Sequence, residues 1–175
     1  MPTLSVTTSH FRESMTSWAR GKGKIFGKLD MTKSFFQTRV HPDDIHLTAV
    51  RTPWGLYEWT VMPMGCCNAP STHQRRMIDA LRPLLGRICY VYLDDIIIWS
   101  VSIEEHERNV KAVLEALRAD KLYCNETKSQ LFATEVSFLG HVIGQQGIKP
   151  DPQKTERSSI GRFQPQQPTC EVSWA

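Results

Sequence analysis

The stretch Arg87 to Ser100, RICYVYLDDIIIWS, constrains this chain more than any other. Two runs rich in β-branched and aromatic residues read as a pair of buried strands, and only Asp94 and Asp95 interrupt them. A hairpin with the two acids at its tip is the simplest reading. Burying an unpaired carboxylate costs several kcal/mol, so something must compensate these two. Aspartates close hairpin turns through their own backbone hydrogen bonds, and they also ligate divalent cations such as Mg²⁺ together with water and phosphate oxygens. The segment alone leaves both open, and a third carboxylate on a neighbouring strand would favour the cation. Asp30 is the candidate, because it follows the apolar run Ile25 to Leu29, although an aspartate ending a strand also serves as a cap.

The rest of the chain supplies a scaffold for such a hairpin. Lys24 to Leu29 reads as a short strand, Thr32 to Gln37 as a turn or short helix, and Thr38 to His41 as an extended segment ended by Pro42. Thr48 to Arg51 and Tyr57 to Val61 flank Thr52-Pro53-Trp54-Gly55 as a hairpin. Asn68-Ala69-Pro70 starts a helix carrying Met77, Ile78, Leu81 and Leu85, punctuated by Pro83 and Gly86. Ser102-x-x-Glu105 is a capping box for a second helix, with Val110, Val113, Leu114 and Leu117 on one face. Its opposite face carries Glu104/Arg108 and Glu107/Lys111 pairs at i, i+4, as a solvated face does. Val136 to Leu139 and His141 to Ile143 form a further hairpin-like unit, with Gly140 and Gly144 as breakers. Strands and helices alternate without βαβ regularity, so the expected class is α+β, a small antiparallel sheet backed by helices.

Composition narrows the class further. Hydrophobic residues at 41% and charged residues at 22% are those of a globular domain, not of a disordered chain. No apolar run reaches the ~18 residues of a membrane span and no signal-peptide layout opens the chain, so a soluble intracellular protein is expected. Five cysteines without C-x-x-C spacing indicate neither a disulfide framework nor a zinc site, and are expected to be small buried thiols. Residues 1–21 and 156–175, rich in Ser, Thr, Gln and Pro, are expected to be disordered or outside the pattern of the ordered block at residues 22–155.

Five blocks within that region carry a family resemblance: Leu29-Asp30-Met31-Thr32-Lys33-Ser34-Phe35-Phe36-Gln37-Thr38-Arg39-Val40, Thr52-Pro53-Trp54-Gly55-Leu56-Tyr57-Glu58-Trp59, Met62-Pro63-Met64-Gly65-Cys66-Cys67-Asn68-Ala69-Pro70, Tyr92-Leu93-Asp94-Asp95 and Phe138-Leu139-Gly140-His141. In order and spacing they resemble the reverse transcriptase of Ty3/gypsy-type long-terminal-repeat retrotransposons. The resemblance implies a polymerase palm with part of the fingers, acting in RNA-directed DNA polymerisation by two-metal nucleotidyl transfer. It implies Asp30, Asp94 and Asp95 as catalytic residues, with Asp30 and Asp94 holding Mg²⁺, for which Mn²⁺ can substitute. Phe35 matches the aromatic gate under the incoming sugar, Gly65 a backbone turn beside the nucleotide, and Lys128 a lysine that protonates the leaving pyrophosphate. Leu139, Gly140 and His141 match the segment that grips the primer end. Implied partners are an RNA or DNA template-primer, deoxynucleoside triphosphates, and RNase H and integrase domains encoded nearby. No membrane partner is implied, and the implied location is a cytoplasmic particle or the nucleus.

Cys66-Cys67 departs from the family's usual Leu-Thr or Leu-Arg, which suggests a locally altered nucleotide pocket. No block matching the triphosphate-binding fingers segment is recognised in Met1 to Arg20, and none matching the thumb in Arg157 to Ala175. Two readings therefore stay open: a polymerase domain, or a catalytically inactive truncated relic with weak nucleic-acid binding. At a net charge of +3 the chain supplies few phosphate contacts.

Overall fold

The computed structural model describes residues 23–151, so the expected end segments, 1–21 and 156–175, lie outside the described residues. The acid-tipped hairpin forms as read, from β4 (Cys89–Tyr92) and β5 (Asp95–Ser100). Next to β5 runs β1 (Ile25–Met31), and beyond it β6 (Cys124–Ala133), completing an antiparallel sheet in the order β4-β5-β1-β6. Asp30 does not end its strand: it lies inside β1, opposite Asp95 on one side and Asn125 on the other.

Alternation along the strands explains why this sheet carries two cores. Leu29, Met31, Val91, Ile96 and Ile98 point to one face and meet Met77 and Leu81 of α1 (Ala69–Leu81) and Val110, Val113 and Leu117 of α2 (Ile103–Ala119). Phe26, Ile97 and Trp99 point to the other and meet Val136, Phe138 and Ile143. Those three belong to a second antiparallel sheet, β7 (Glu135–Phe138), β8 (His141–Gly144) and β9 (Gly147–Pro150). Since β5 is buried on both faces, its sequence is a continuous apolar run and not an alternating one. Each such aliphatic or aromatic side chain contributes roughly 1.5–3 kcal/mol on burial.

The second sheet covers only the Phe26 end of that face. Lys28, Asp30 and Asp95, further along the same face, are half-buried, and the polar site lies there.

Several local expectations need correction. Gly144 does not break β8 but pairs within it, opposite Glu135 and Gly147, where an added Cβ would lie 3.1 Å from the Glu135 Cβ. The first hairpin is shorter than read, β2 (Val50–Thr52) with β3 (Gly55–Tyr57), and a 3₁₀ helix at Pro42–Thr48, begun by Pro42, precedes it. Leu114 is 40% exposed, and the buried stripe of α2 runs through His106, Val110, Val113 and Leu117. The Ser102 hydroxyl caps α2 by accepting from the Glu105 N–H, whereas the Glu105 carboxylate reaches the N–H of Val101 and not that of Ser102. Cys89 is a buried thiol pushed up to about 12 by burial, but Cys66 and Cys67 lie exposed in the loop before α1. Among the described residues no helix is long and apolar enough to cross a membrane.

Candidate active site

The three aspartates differ sharply in their partners. Asp95 is half-buried and its carboxylate lies 3.0 Å from the Lys28 ammonium, two residues before Asp30 on the same face of β1. Burial pushes the Asp95 carboxyl above its ordinary value, Lys28 offsets part of this, and the neighbouring Asp94 and Asp30 carboxylates push it further up. Among the described residues neither Asp30 nor Asp94 has a cation as a salt-bridge partner. Lys28 is thus paired with Asp95, and Asp30 and Asp94, near enough to Asp95 to act on its carboxyl, are left without a countercharge among the described residues. That donor set fits a hard divalent cation, which takes a few carboxylate oxygens and completes its shell with water or phosphate. It is an open set and not a closed cage, for among the described residues no three His, Cys, Asp or Glu side chains converge on one point.

Backbone hydrogen bonds hold the acids in place. Between Lys28 and Asp30 the register of β6 jumps from Gln130 to Asn125, so β6 bulges outward beside Asp30. The Asp30 N–H donates to Ser129 Oγ at 3.2 Å, and the Ser129 hydroxyl donates to the Asn125 carbonyl at 2.6 Å. Asp94 is exposed in the two-residue turn between β4 and β5, and its carbonyl accepts the Met31 N–H at 3.0 Å. Leu93, before it, has a φ of 53°, a left-handed conformation that costs a leucine roughly 1–2 kcal/mol. Gln74 of α1 secures this turn from outside: its Oε1 accepts the Leu93 N–H at 2.6 Å and its Nε2 donates to the Val91 carbonyl at 3.2 Å.

The Phe35 turn is also held from several sides. Phe35 lies half-buried in the 3₁₀ turn Ser34–Gln37, which Lys33 enters with a φ of 45°. Gln37 Nε2 donates to the carbonyls of Thr32 and Tyr123, and Gln37 Oε1 accepts the Tyr123 N–H at 2.8 Å. Arg76 of α1 donates to the Gln37 carbonyl, to Thr38 Oγ1 at 3.1 Å and to the Asp120 carbonyl at 2.9 Å. Against the Phe35 ring lies the imidazole of His73, with centroids 5.3 Å apart and planes inclined at 46°. His73 is fully buried and neither ring nitrogen makes a hydrogen bond. Burial holds it below its ordinary value, the Arg76 guanidinium adds to this, and the Asp94 carboxylate and Leu93 backbone pull the other way.

The remaining sequence-derived candidates lie around this centre. Gly65 has a φ of 98° in an exposed loop, and an added Cβ would meet nothing within 4 Å, so its backbone conformation is what requires glycine. Lys128 is exposed within the bulged stretch of β6. Leu139 and Gly140 form the two-residue turn between β7 and β8, and His141 Nδ1 lies 3.1 Å from the Leu139 carbonyl. Leu139 packs against the same core as Tyr92, which brings that turn alongside the sheet. Among the described residues no hydrogen bond or ion pair joins Gly65, Lys128 or this turn to the carboxylates. Sequence reasoning missed Lys28, His73, Gln74, Arg76 and Ser129. For His73 a signal existed, since it shares the i, i+4, i+8 stripe of Met77 and Leu81.

Known proteins are similar to this chain in sequence and fold. The family described as reverse transcriptase (RNA-dependent DNA polymerase) matches residues 2–143, a span that begins ahead of the blocks quoted above. The retrovirus-related Pol polyprotein from transposon opus of Drosophila melanogaster is 41% identical over 139 residues, 79% of this chain and 14% of that polyprotein. The corresponding polyprotein from transposon gypsy of the same organism is 35% identical over 136 residues, 78% of this chain and 13% of its own length. The foamy viral protease-reverse transcriptase, solved in complex with an RNA/DNA hybrid, superposes with a TM-score of 0.76 at 25% identity, over 93% of this chain and 22% of that one. This chain therefore spans a small part of the polyproteins it matches.

Proposed function

The chain belongs to the reverse transcriptase (RNA-dependent DNA polymerase) family, and on that premise we propose that it is the palm-centred part of a retrotransposon polymerase that copies RNA into DNA by two-metal nucleotidyl transfer. The observation that carries this reading is the pair of carboxylates without a countercharge, Asp30 and Asp94, beside a third, Asp95, already engaged by Lys28. Asp30 and Asp94 would hold Mg²⁺ or, in its place, Mn²⁺. Bound there, such ions neutralise phosphate charge and favour the ionised primer hydroxyl.

The chain's own residues provide positioning, which with electrostatics supplies nearly all of phosphoryl-transfer catalysis. The Ser129 contact fixes the Asp30 backbone, and Gln74 with the Met31 N–H fixes the Asp94 turn. Asp95, tied to Lys28, stays directed along the sheet face and sets the charge around its neighbours. Phe35 lies under the incoming sugar, where its ring excludes a ribose 2′-hydroxyl, and Gly65 leaves room for nucleotide and template. Lys128 protonates the leaving pyrophosphate, and Leu139, Gly140 and His141 hold the primer end. The partners are a template-primer of RNA and DNA, deoxynucleoside triphosphates, and further polyprotein domains such as RNase H and integrase, within a cytoplasmic particle or the nucleus.

The test is incorporation of deoxynucleotides on an RNA template with a DNA primer and Mg²⁺. Incorporation should fall to background in Asp30→Asn and in Asp94→Asn, and Phe35→Ala should raise ribonucleotide use relative to deoxynucleotide use. A chain that binds nucleic acid but never incorporates, or one indifferent to both asparagine substitutions, would refute the polymerase reading and leave the inactive one.

A further inference from the structure

We propose that His73 is a specificity-determining positioning residue: it forms the wall behind the Phe35 ring and so sets how strictly ribonucleotides are excluded, an inference that rests on the gate role given to Phe35 above. The His73 ring is fully buried on the same stripe of α1 as Met77 and Leu81, and both nitrogens go without a hydrogen bond. A buried polar group in that state costs on the order of 1–3 kcal/mol, which an apolar side chain on the same stripe would avoid. The Leu93 backbone and the Asp94 carboxylate lie close enough to act on the ring, but among the described residues no hydrogen bond of good geometry holds it in place. What the ring does have is a tilted contact of its planar ring with Phe35, at a centroid distance of 5.3 Å and an inclination of 46°.

Neighbouring contacts separate the backbone of the gate from its ring. Arg76, one turn along α1, binds the Gln37 carbonyl and Thr38 Oγ1, while the Gln37 side chain ties the turn to Thr32 and Tyr123. These bonds fix the backbone on either side of Phe35. They leave its side-chain torsions free, and His73, the aromatic ring in contact with it among the described residues, limits them. Shortening His73 opens space behind the ring without unfastening the turn, so the ring can retreat and admit a 2′-hydroxyl.

His73 also lies near Asp94 and Leu93, so the experiment must separate an effect on the gate from one on the catalytic acids. Single-nucleotide incorporation is measured with deoxy- and ribonucleotides for the wild-type chain, Phe35→Ala, His73→Ala, His73→Leu and His73→Phe. His73→Ala should lower discrimination by about tenfold, through KM for the ribonucleotide, with kcat for the deoxynucleotide nearly kept. His73→Leu, which keeps the volume but not the flat face, should lower it less, and His73→Phe should preserve it. A 4-fluorophenylalanine placed at position 35 gives a readout independent of activity: one sharp ¹⁹F resonance in the wild type and His73→Phe, and a broadened or split one in His73→Ala or, should that variant not fold, His73→Leu.

If Phe35→Ala relaxes discrimination while the His73 variants leave it unchanged, this inference alone is overturned. An equal loss of kcat for both sugars in the His73 variants also overturns it, since that is the signature of disturbed acids. An unaltered ¹⁹F signal in every folded His73 variant overturns it whatever the activity. If no variant incorporates, or Phe35→Ala leaves discrimination intact, the gate reading fails and takes this inference with it.

Discussion

Two tight turns in this molecule do the same geometric work by different means. The β4–β5 turn, Leu93-Asp94, and the β7–β8 turn, Leu139-Gly140, each join antiparallel strands with two residues, and each opens with a leucine in left-handed conformation, φ 53° and 51°. In the second turn the next residue is glycine, with a φ of 72°, so both central residues have the positive φ of a twist-matched hairpin turn and the glycine adopts it without strain. The first turn has an aspartate there whose φ is not positive, so it is a different turn type, and it is held by Gln74 of α1 on one side and the Met31 N–H of β1 on the other. Both turns take a backbone N–H from elsewhere, Met31 onto the Asp94 carbonyl and Asp151 onto the Gly140 carbonyl, and the Asp94 turn is in addition clamped by a helix side chain, Gln74.

The largest effect expected from this contrast is that of Gln74→Ala. It removes both clamp bonds and leaves a backbone donor and acceptor unpaired, so stability should drop by about 2–3 kcal/mol. Amide exchange at Leu93 should accelerate while that at Leu139 stays unchanged, and equal acceleration at both would show that the Gln74 clamp is not specific to the Asp94 turn. Gly140→Ala should cost about 1–2 kcal/mol, because alanine does not tolerate the left-handed conformation. Divalent-cation affinity should be unaffected by that change, and a loss of affinity would mean that the two turns are coupled.

Smaller still is an acid effect specific to α1. His73 titrates below its ordinary 6.5 in the folded chain because it is buried. The unfolded chain therefore takes up the proton first: the stability associated with a neutral His73 is present above pH 6.5 and is lost as pH falls, until the folded ring itself protonates. Between pH 7 and 6 this is at most about 0.7 kcal/mol, and His73→Phe should remove it, as thermal melts at the two pH values would show. Buried His106 follows the same rule and should keep its share in that variant. Smallest is Leu93→Gly, which relieves the left-handed leucine but adds freedom to the unfolded chain, for a net gain of a few tenths of a kcal/mol. A clear loss in chemical denaturation would show that the Leu93 side chain matters more than its torsion.

What was legible in the sequence follows from how strongly each segment is buried. β5 was plain because both of its faces are covered, and the α2 cap was plain because Ser102 and Glu105 act locally. β6 was not legible: CNETKSQLFA is a mostly polar edge strand with a bulge, and its pairing with β1 depends on a partner almost a hundred residues away. Asp30, Asp94 and Asp95 were visible because acids among apolar residues require compensation. Their surroundings were not, since a lysine, glutamine or arginine turned inward looks in sequence like one turned to water. Lys28 reads as surface charge until its register opposite Ile97 places it beside Asp95. Gln74 and Arg76 read as the polar side of α1 until the turns they fasten are seen.

We propose that a divalent cation joins Asp30 and Asp94, which have no salt-bridge partner among the described residues. Titration of the metal-free chain with Mn²⁺, followed by electron paramagnetic resonance, tests this most directly. A saturable site displaced by Mg²⁺ is expected, lost in Asp30→Asn and in Asp94→Asn, and weakened less by Asp95→Asn, whose carboxylate Lys28 already engages. Mn²⁺ binding unchanged in both Asp30→Asn and Asp94→Asn, or no saturable binding to the wild-type chain, would contradict it.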